Sequence, residues 1–517
     1  MGKKTRGAIA AGHPKTAEAG KIMFELGGNA FDAAIAAVLA SFVVESTLTS
    51  AGGGGFLLAH TQDNQDILFD FFCQTPRQKR NAEILDFYPI NINFGGEIQA
   101  FHIGLGSIAV PGSLAGIFQV HQQLGKLPFH VIAEPAINYA NNGYKITEYN
   151  RFTFELLEPI ITSLPESRKI YTPNNQLLKT NQTSYNKDFV NTLNYLIEQG
   201  VEEFYQGEIA HQLVKDLSFG GYLSLEDLSH YQVIRRKPLK INYRGYELLT
   251  NPPPSSGGML IAWALKLLEK IPFEKIEFGS YQHLQLLAQA MYLTNQARKN
   301  SYDTNIHNPN IIADFLSQNN LNYYQTQLED TINKWGSTTH ISVIDTEGNA
   351  ASVTNSNGEG SSYVIPNTGI MLNNMLGEAD LNPLGFHSWP CDRRISSMMS
   401  PTIILREGQP EIVLGSGGSN RIRTAILQVI SNLLDFHCSL ADAIINPRVH
   451  WENNILSLEP IPQNEQLDRL ILPKATEILQ WQELNMFFGG VHAVSNVQGQ
   501  TIEAIGDPRR AGVGIIC

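Results

Sequence analysis

The stretch KWGSTTHISVIDTEGNA, residues 334–350, sets two hydroxyls and an imidazole, Thr338, Thr339 and His340, at the head of an alternating strand pattern. Threonine favours strands, so the pair taken alone has a structural explanation. The other explanation is chemical. If the chain breaks between Ser337 and Thr338, Thr338 gains a free α-amine beside its own hydroxyl, and an amine with a reference pKa of about 8 accepts the Oγ proton near neutral pH. The nucleophile then carries its own base. Thr338 can make the break itself: Oγ attacks the Ser337 carbonyl, the peptide becomes an ester, and water resolves it. The small Gly336 and Ser337 leave that carbonyl accessible.

Acyl transfer also needs donors for an oxyanion. LGSGGSNRIRTA sets a glycine-rich turn, Gly415 to Ser419, directly before a helix, where free N–H groups point outward and the dipole favours negative charge. The same pattern serves an ordinary strand-to-helix turn or a phosphate loop, although the Lys-Ser or Lys-Thr of a Walker-type loop is missing. Ser396 and Ser397 in RRISSMMSPTI pair two hydroxyls on a loop, placed either to hold a substrate carboxylate or to satisfy local backbone. Gly52 to Gly55 is either a tight backbone passage or a wall of the site. None of the 14 histidines falls in H-E-x-x-H or a comparable spacing, so metal hydrolysis has no support. Cys73 and Cys391 remain candidate nucleophiles without a recognisable activating context.

The elements that must position these groups can be read from periodicity. Lys15 to Leu26 reads as a helix stopped by Gly27-Gly28, and Asn29 caps a second, Ala-rich helix through Val44 that looks buried nearly all round. Strands follow at Phe56 to His60 and Ile67 to Phe72, joined by an Asp63-Asn64 turn. From about Pro111 to Leu328 the chain reads as mainly helical, including Leu114 to Leu124 and Leu260 to Leu268. A β-like stretch, Leu239 to Leu249, interrupts it and leads into the rigid loop NPPPSSGG. From Thr339 the period becomes two: THISVID and AASVTNS flank a turn, TIILRE, PEIVLGS, VHAVSNV and TIEAIGD follow, and NRIRTAILQVISNLLDF is an amphipathic helix. Sheets sandwiched between helical layers are expected.

The 517 residues are 43% hydrophobic and 17% charged, enough to bury a large core. A net charge of −12 leaves no basic field for nucleic acid or an anionic membrane, so small-molecule partners are expected. The four cysteines form no C-x-x-C pair. The basic N-terminus runs into Gly12-His13-Pro14-Lys15-Thr16, too little apolar length for a signal h-region, and the longest apolar run, Ala30 to Val44, contains Asp32 and falls short of the ~20 residues of a membrane span. A cytoplasmic location is expected.

Taken in order along nearly the whole chain, GGNAFDAAIAA, GGGGF, VPGSLAG, LSLEDLSHY, NPPPSSGG, TTHISVIDTEGNA, GIMLNN, SSMMSPTI, GSGGSNR and DPRRAG resemble the γ-glutamyltransferase family, also called γ-glutamyltranspeptidase or glutathione hydrolase, among the N-terminal nucleophile hydrolases. The resemblance implies an α+β fold, a four-layer αββα sandwich with a mainly helical lobe in the large-subunit region. It implies a precursor that cuts itself into residues 1–337 and 338–517, the two interleaving in one core. Thr338 is then the nucleophile, Ser356 a hydroxyl that hydrogen-bonds it, and Gly418 with Ser419 the oxyanion pair, a serine standing where the family has a second glycine. Thr339 and His340 are expected to be structural support.

For substrate, the resemblance assigns Ser396 and Ser397 to an α-carboxylate and Glu378 to an α-ammonium. Three recognition positions depart from the family: Phe72 replaces an arginine, Gly358 an asparagine and Met375 a glutamine. Arg77, five residues after Phe72, is the nearest guanidinium that could reach in. No metal and no organic cofactor is implied. The expected activity is cleavage of γ-glutamyl amides such as glutathione through an acyl-Thr338 ester, with transfer to water or an amine. One alternative keeps the mechanism on another acyl amide, of the glutaryl or cephalosporin acylase kind, and another is a catalytically silent binding homologue.

Overall fold

Alternation along the strand Thr339–Asp345 divides its side chains between two surfaces. Ile341 and Val343 join a cluster with the helix Ala30–Val44, whereas His340, Ser342 and Ile344 face the other way. The computed structural model describes residues 6–93, 98–324, 338–382, 384–460, 464–473, 476–497 and 501–517. Within them, this strand lies in a seven-stranded antiparallel sheet ordered Val513–Ile516, Gly7–Ala11, Thr339–Asp345, Ala350–Ser356, Gly54–His60, Asp66–Phe71 and Ile234–Arg236. A second antiparallel sheet stacks against it, ordered Thr501–Ile505, Gly490–Val497, Gln409–Gly417, Thr402–Arg406, Tyr246–Thr250 and Leu239–Tyr243. Helices Pro14–Glu25 and Ala30–Val44 cover the first sheet, and Gly257–Leu268, Tyr281–Ala297 and Arg421–Leu434 cover the second. This is the expected four-layer αββα sandwich.

The helix Ala30–Val44 is buried along its whole length. Its one acid, Asp32, caps the helix start: Asn29 and Asp32 form a reciprocal capping box, and the Asp32 carboxylate also accepts the Lys126 N–H at 2.9 Å. The helical region after Pro111 divides between the two outer layers. Ser113–Leu124 and Phe129–Asn142 join the core of the first sheet, and Gly257–Leu268 onward joins the core of the second. The edge strand Val513–Ile516 and its neighbour Gly7–Ala11, the hairpin of Tyr88–Asn93 with Ile98–Ile103, and a small sheet of Val449–Glu452, Ile455–Leu458 and Glu477–Gln480 are features that periodicity did not reveal.

The two sheets approach closely because glycines alternate where they face. A Cβ on Gly415 would lie 2.2 Å from the His340 ring, and one on Gly417 would lie 2.0 Å from the Thr338 carbonyl oxygen. His340 cannot yield, since Nδ1 meets Thr354 Oγ1 at 2.8 Å and Nε2 meets Ser342 Oγ at 2.9 Å. Gly415→Ala is therefore expected to destabilise the fold by ~1–3 kcal/mol through overpacking, read as a lower urea midpoint; an unchanged midpoint would contradict this contact.

Candidate active site

Strand register brings the first candidate pair together. Thr339 pairs with Asn355 and His340 with Thr354, and continuing that register by one residue sets Thr338 opposite Ser356. Both face the space between the sheets, and both line one narrow pocket with Phe72, Gly358, Met375, Glu378, Asp380, Leu381, Ser397, Met398, Met399, Ser419 and Ile422. Thr338 thus sits at the end of a buried strand with its side chain open to a cavity. The Gly336-Ser337 side of the expected cut lies outside the described residues.

The carbonyl of Thr338 is fixed by Arg510, whose Nη1 donates to it at 3.3 Å. Arg510 belongs to the turn that follows Asp507, and that turn is locked by buried ion pairs: Asp507 with Arg448 at 2.6 Å and Arg509 with Glu459 at 2.5 Å. Burial opposes charge on Asp507, but Arg448 and Arg509 overcome it and hold its pKa below the usual carboxylate range. On the other flank Thr339 Oγ1 donates to Glu45 at 2.6 Å, and Thr16 donates to the same carboxylate at 2.6 Å. Thr339 and His340 therefore act as the structural support expected of them.

The turn after the strand Gln409–Gly417 delivers Gly418 and Ser419 beside Thr338. Gly418 has φ +126° and Ser419 φ +49°, a left-handed backbone that the family's glycine adopts more easily than serine. Among the described residues neither N–H donates to a protein acceptor, and the helix Arg421–Leu434 begins just beyond. This arrangement can receive an oxyanion. Ser419 lines the pocket while Gly418 lies behind it, against Gly489 and Arg510.

The two serines of the SSMMSPTI loop separate. Ser397 lines the nucleophile pocket, and its Oγ accepts the Met399 N–H at 3.0 Å. Ser396 opens into an adjoining cavity and bonds Ser256 at 2.9 Å. The proline loop secures this segment, because the N–H of Ser256 and the hydroxyl of Ser255 both donate to the Ser397 carbonyl, at 2.8 and 2.9 Å. Gly52 to Gly55 resolve as a tight passage: a Cβ on Gly53 would lie 2.3 Å from the Ser356 carbonyl oxygen, and none of the four lines the pocket. Cys73 is buried, and burial pushes its thiol pKa well up, which disfavours it as a nucleophile.

The charge of the pocket is negative. Its lining holds Glu378 and Asp380 and no Arg, Lys or His. Burial, and then repulsion from the neighbouring Glu359, pushes the Glu378 pKa well above the usual carboxylate range, which favours a proton on Glu378. An ammonium group entering here could replace that proton. At the arginine position of the family, Phe72 stacks on Phe56 with centroids 5.5 Å apart. Arg77 does not reach in: it pairs with Asp392 at 3.1 Å and Glu226 at 3.3 Å and lines a different cavity. The nearby Arg394 is committed to the carbonyls of Phe72 and Gln232, the Tyr231 hydroxyl and Asp70.

Sequence reasoning missed Asp380, Glu359 and Arg510. Their signals were the second acid of GEADLNP, the acid of NGEG, and the last arginine of DPRRAG. Asp380 accepts a hydrogen bond from Ser419 Oγ at 2.5 Å, so the serine that replaces a glycine links the oxyanion turn to the acidic wall. Burial, then Glu452, pushes the Asp380 pKa up to about 6, and the Ser419 bond, Arg421 and Arg298 oppose that rise. Asp380 is thus neutral below about pH 6 and charged above it. Turnover of an amide substrate is expected to show an inflection near pH 6 that Asp380→Asn removes and Ser419→Gly moves upward; a profile identical in all three proteins would rule out a role for this carboxylate.

Among the described residues no group of three or more His, Cys, Asp or Glu side chains is arranged to hold a metal ion, and no helix is long and apolar enough to cross a membrane. A family model described as Gamma-glutamyltranspeptidase matches residues 16–517. The chain is 30% identical to the capsule biosynthesis protein CapD proenzyme of Bacillus anthracis, over 99% of this chain and 91% of that protein. It is 29% identical to the glutathione hydrolase proenzyme of Escherichia coli (strain K12), over 86% of this chain and 81% of that protein. Its fold matches the crystal structure of cephalosporin acylase from Bacillus halodurans with a TM-score of 0.85 at 23% identity, covering 99% of this chain and 96% of that one.

Proposed function

Because the chain belongs to the γ-glutamyltranspeptidase family, we propose that it is an autoprocessing threonine hydrolase and acyltransferase that cleaves γ-glutamyl amides through an acyl-Thr338 ester and passes the acyl group to water or an amine. The observation that carries this reading is the convergence of Thr338, Ser356 and Ser419 on one pocket at the junction of the two sheets. The proenzyme names of the relatives support a cut before Thr338, giving pieces 1–337 and 338–517.

In this mechanism the freed α-amine of Thr338 takes the Oγ proton as Oγ attacks the amide carbonyl. The N–H groups of Gly418 and Ser419 stabilise the tetrahedral oxyanion, assisted by the start of the helix Arg421–Leu434. Proton return from the amine releases the leaving group and leaves the ester. Water or an incoming amine then attacks that ester by the reverse sequence. Arg510 fixes the Thr338 carbonyl, and with it the direction of the strand that presents Oγ. Glu378 receives the ammonium of a γ-glutamyl donor, and Ser397, with Ser396 behind it, the carboxylate.

A second reading has one observation in its favour. The pocket lacks the guanidinium expected for an α-carboxylate, and Phe72, Met375, Met398 and Met399 give it an apolar wall. That lining supports an acyl group other than γ-glutamyl, cleaved by the same machinery. Purified protein is expected to run as two fragments, the smaller beginning at Thr338, and Thr338→Ala as one uncut chain. A single stable chain from the parent would sink both readings. With cleavage established, side-by-side turnover of a γ-glutamyl anilide and glutaryl or neutral acyl anilides decides between them, and inertness toward the γ-glutamyl compound alone would select the second.

A further inference from the structure

The strand Val449–Glu452 lies along the helix Arg421–Leu434, and buried side chains tie the two together at even intervals. Gln428 donates to the Val449 carbonyl and accepts the Val449 N–H, both at 2.9 Å. Thr424 Oγ1 meets His450 Nδ1 at 2.9 Å. Asn420 Nδ2 donates to Glu452 Oε1 at 3.0 Å, and His450 Nε2 meets the other carboxylate oxygen at 3.2 Å. Residues 420, 424 and 428 fall four apart, on one face of the helix. The strand is a splint along that face, and Glu452 is its last rung.

That rung reaches the oxyanion turn. Asparagine at a helix start ordinarily caps it with its own side chain, but Asn420 makes no such bond and turns to Glu452 instead. The carbonyls of Gly418 and Ser419 accept the N–H groups of Arg421 and Ile422, at 3.1 and 3.0 Å. A peptide unit is planar and trans, so the Gly418 carbonyl and the Ser419 N–H share one rigid plane and point opposite ways. Seating the first turn of the helix therefore aims the Ser419 N–H.

Glu452 also acts through charge. Burial opposes its ionisation, but the His450 bond and the guanidiniums of Arg423 and Arg421 outweigh burial and hold its pKa at about 2. His450 stays neutral above about pH 4, because burial lowers its pKa. The carboxylate of Glu452 is thus charged at neutral pH and faces Asp380, which also meets the charges of Glu378, Arg298, Arg421 and Arg423 and accepts the Ser419 hydroxyl.

We propose that Glu452 is a positioning residue for the oxyanion turn, holding it by hydrogen bond through Asn420 and acting on it by charge through Asp380. Its consequence for turnover rests on the reading of Thr338 as the nucleophile, while its effect on Asp380 does not. Glu452→Leu removes both the rung and the charge. Glu452→Gln removes the charge alone, since the amide oxygen accepts from Asn420 and the amide N–H meets the other tautomer of the neutral His450 ring. At about pH 8, where Asp380 is charged, Glu452→Leu is expected to lower kcat for an anilide about tenfold or more with KM within about twofold, because an oxyanion donor acts on the transition state. Asn420→Ala is expected to reproduce that loss from the other side of the bond, and the double variant to be no worse than either. Glu452→Gln is expected to keep kcat within about threefold. In protein labelled with 13C at the aspartate carboxyls, the Asp380 signal, identified by its loss in Asp380→Asn, is expected to titrate at least about half a pH unit lower in Glu452→Gln than in the parent. Parental kcat in both Glu452→Leu and Asn420→Ala, a loss confined to KM, a Glu452→Gln protein as impaired as Glu452→Leu, or an unmoved Asp380 titration would each overturn the proposal. The titration needs no turnover: a shifted Asp380 in a protein inert toward every amide sinks the proposed reaction and leaves the hold of Glu452 on the turn, and turnover with an unmoved Asp380 does the reverse.

Discussion

A strand that is polar at its head has been buried between two sheets, and every neighbour of that strand is constrained by the need to satisfy it. Thr339 requires Glu45, His340 requires Thr354 and Ser342, Ser342 in turn donates to the His492 carbonyl, and the Thr338 carbonyl receives Arg510. A buried hydroxyl or imidazole left without a partner costs about 1–3 kcal/mol, so these bonds are conditions of the fold as much as of the site. The glycines at 415 and 417 belong to the same constraint, since only they let the second sheet come close enough to supply the remaining partners.

Electrostatics divides the concave surface of the molecule into two regions of opposite character. Around Thr338 the wall is acidic and apolar, with Glu378 and Asp380 both raised above the usual carboxylate range and the nearest arginines committed elsewhere. Beyond Ser396 the lining turns to guanidiniums. The family's arginine position is occupied by a phenylalanine that stacks on another, and no guanidinium lines the pocket of Thr338.

Much of this was legible in the sequence because the relevant patterns are local. Period-two alternation in THISVID and AASVTNS gave both strands with their bounds, the Asn29 cap and Gly27 stop gave the two helices, and the Pro run marked the loop that braces Ser397. Of the residues the motifs singled out, Thr338, Ser356, Ser397, Glu378 and Ser419 line one pocket. What stayed hidden depends on contacts distant in sequence. Gly7–Ala11 and Val513–Ile516 are short, and their pairing partners lie hundreds of residues away, so no window contains the signal. Ser396 and Ser397 are adjacent in the chain, yet they line different cavities. Asp380 looked like a loop acid until the turn carrying Ser419 came to rest on it.

The order of strands in the first sheet has a consequence for any break before Thr338. Thr339–Asp345 lies between Gly7–Ala11 and Ala350–Ser356, and the latter is bonded on its far side to Gly54–His60. The two pieces would therefore alternate within a single hydrogen-bonded ladder, with the last strand of the chain, Val513–Ile516, closing over the first. Neither piece owns either of the two large sheets, so neither carries a complete core alone. Separation would mean unravelling both, which makes maturation a one-way change of connectivity that leaves the topology untouched, and makes the covalent continuity of the precursor a requirement of assembly only.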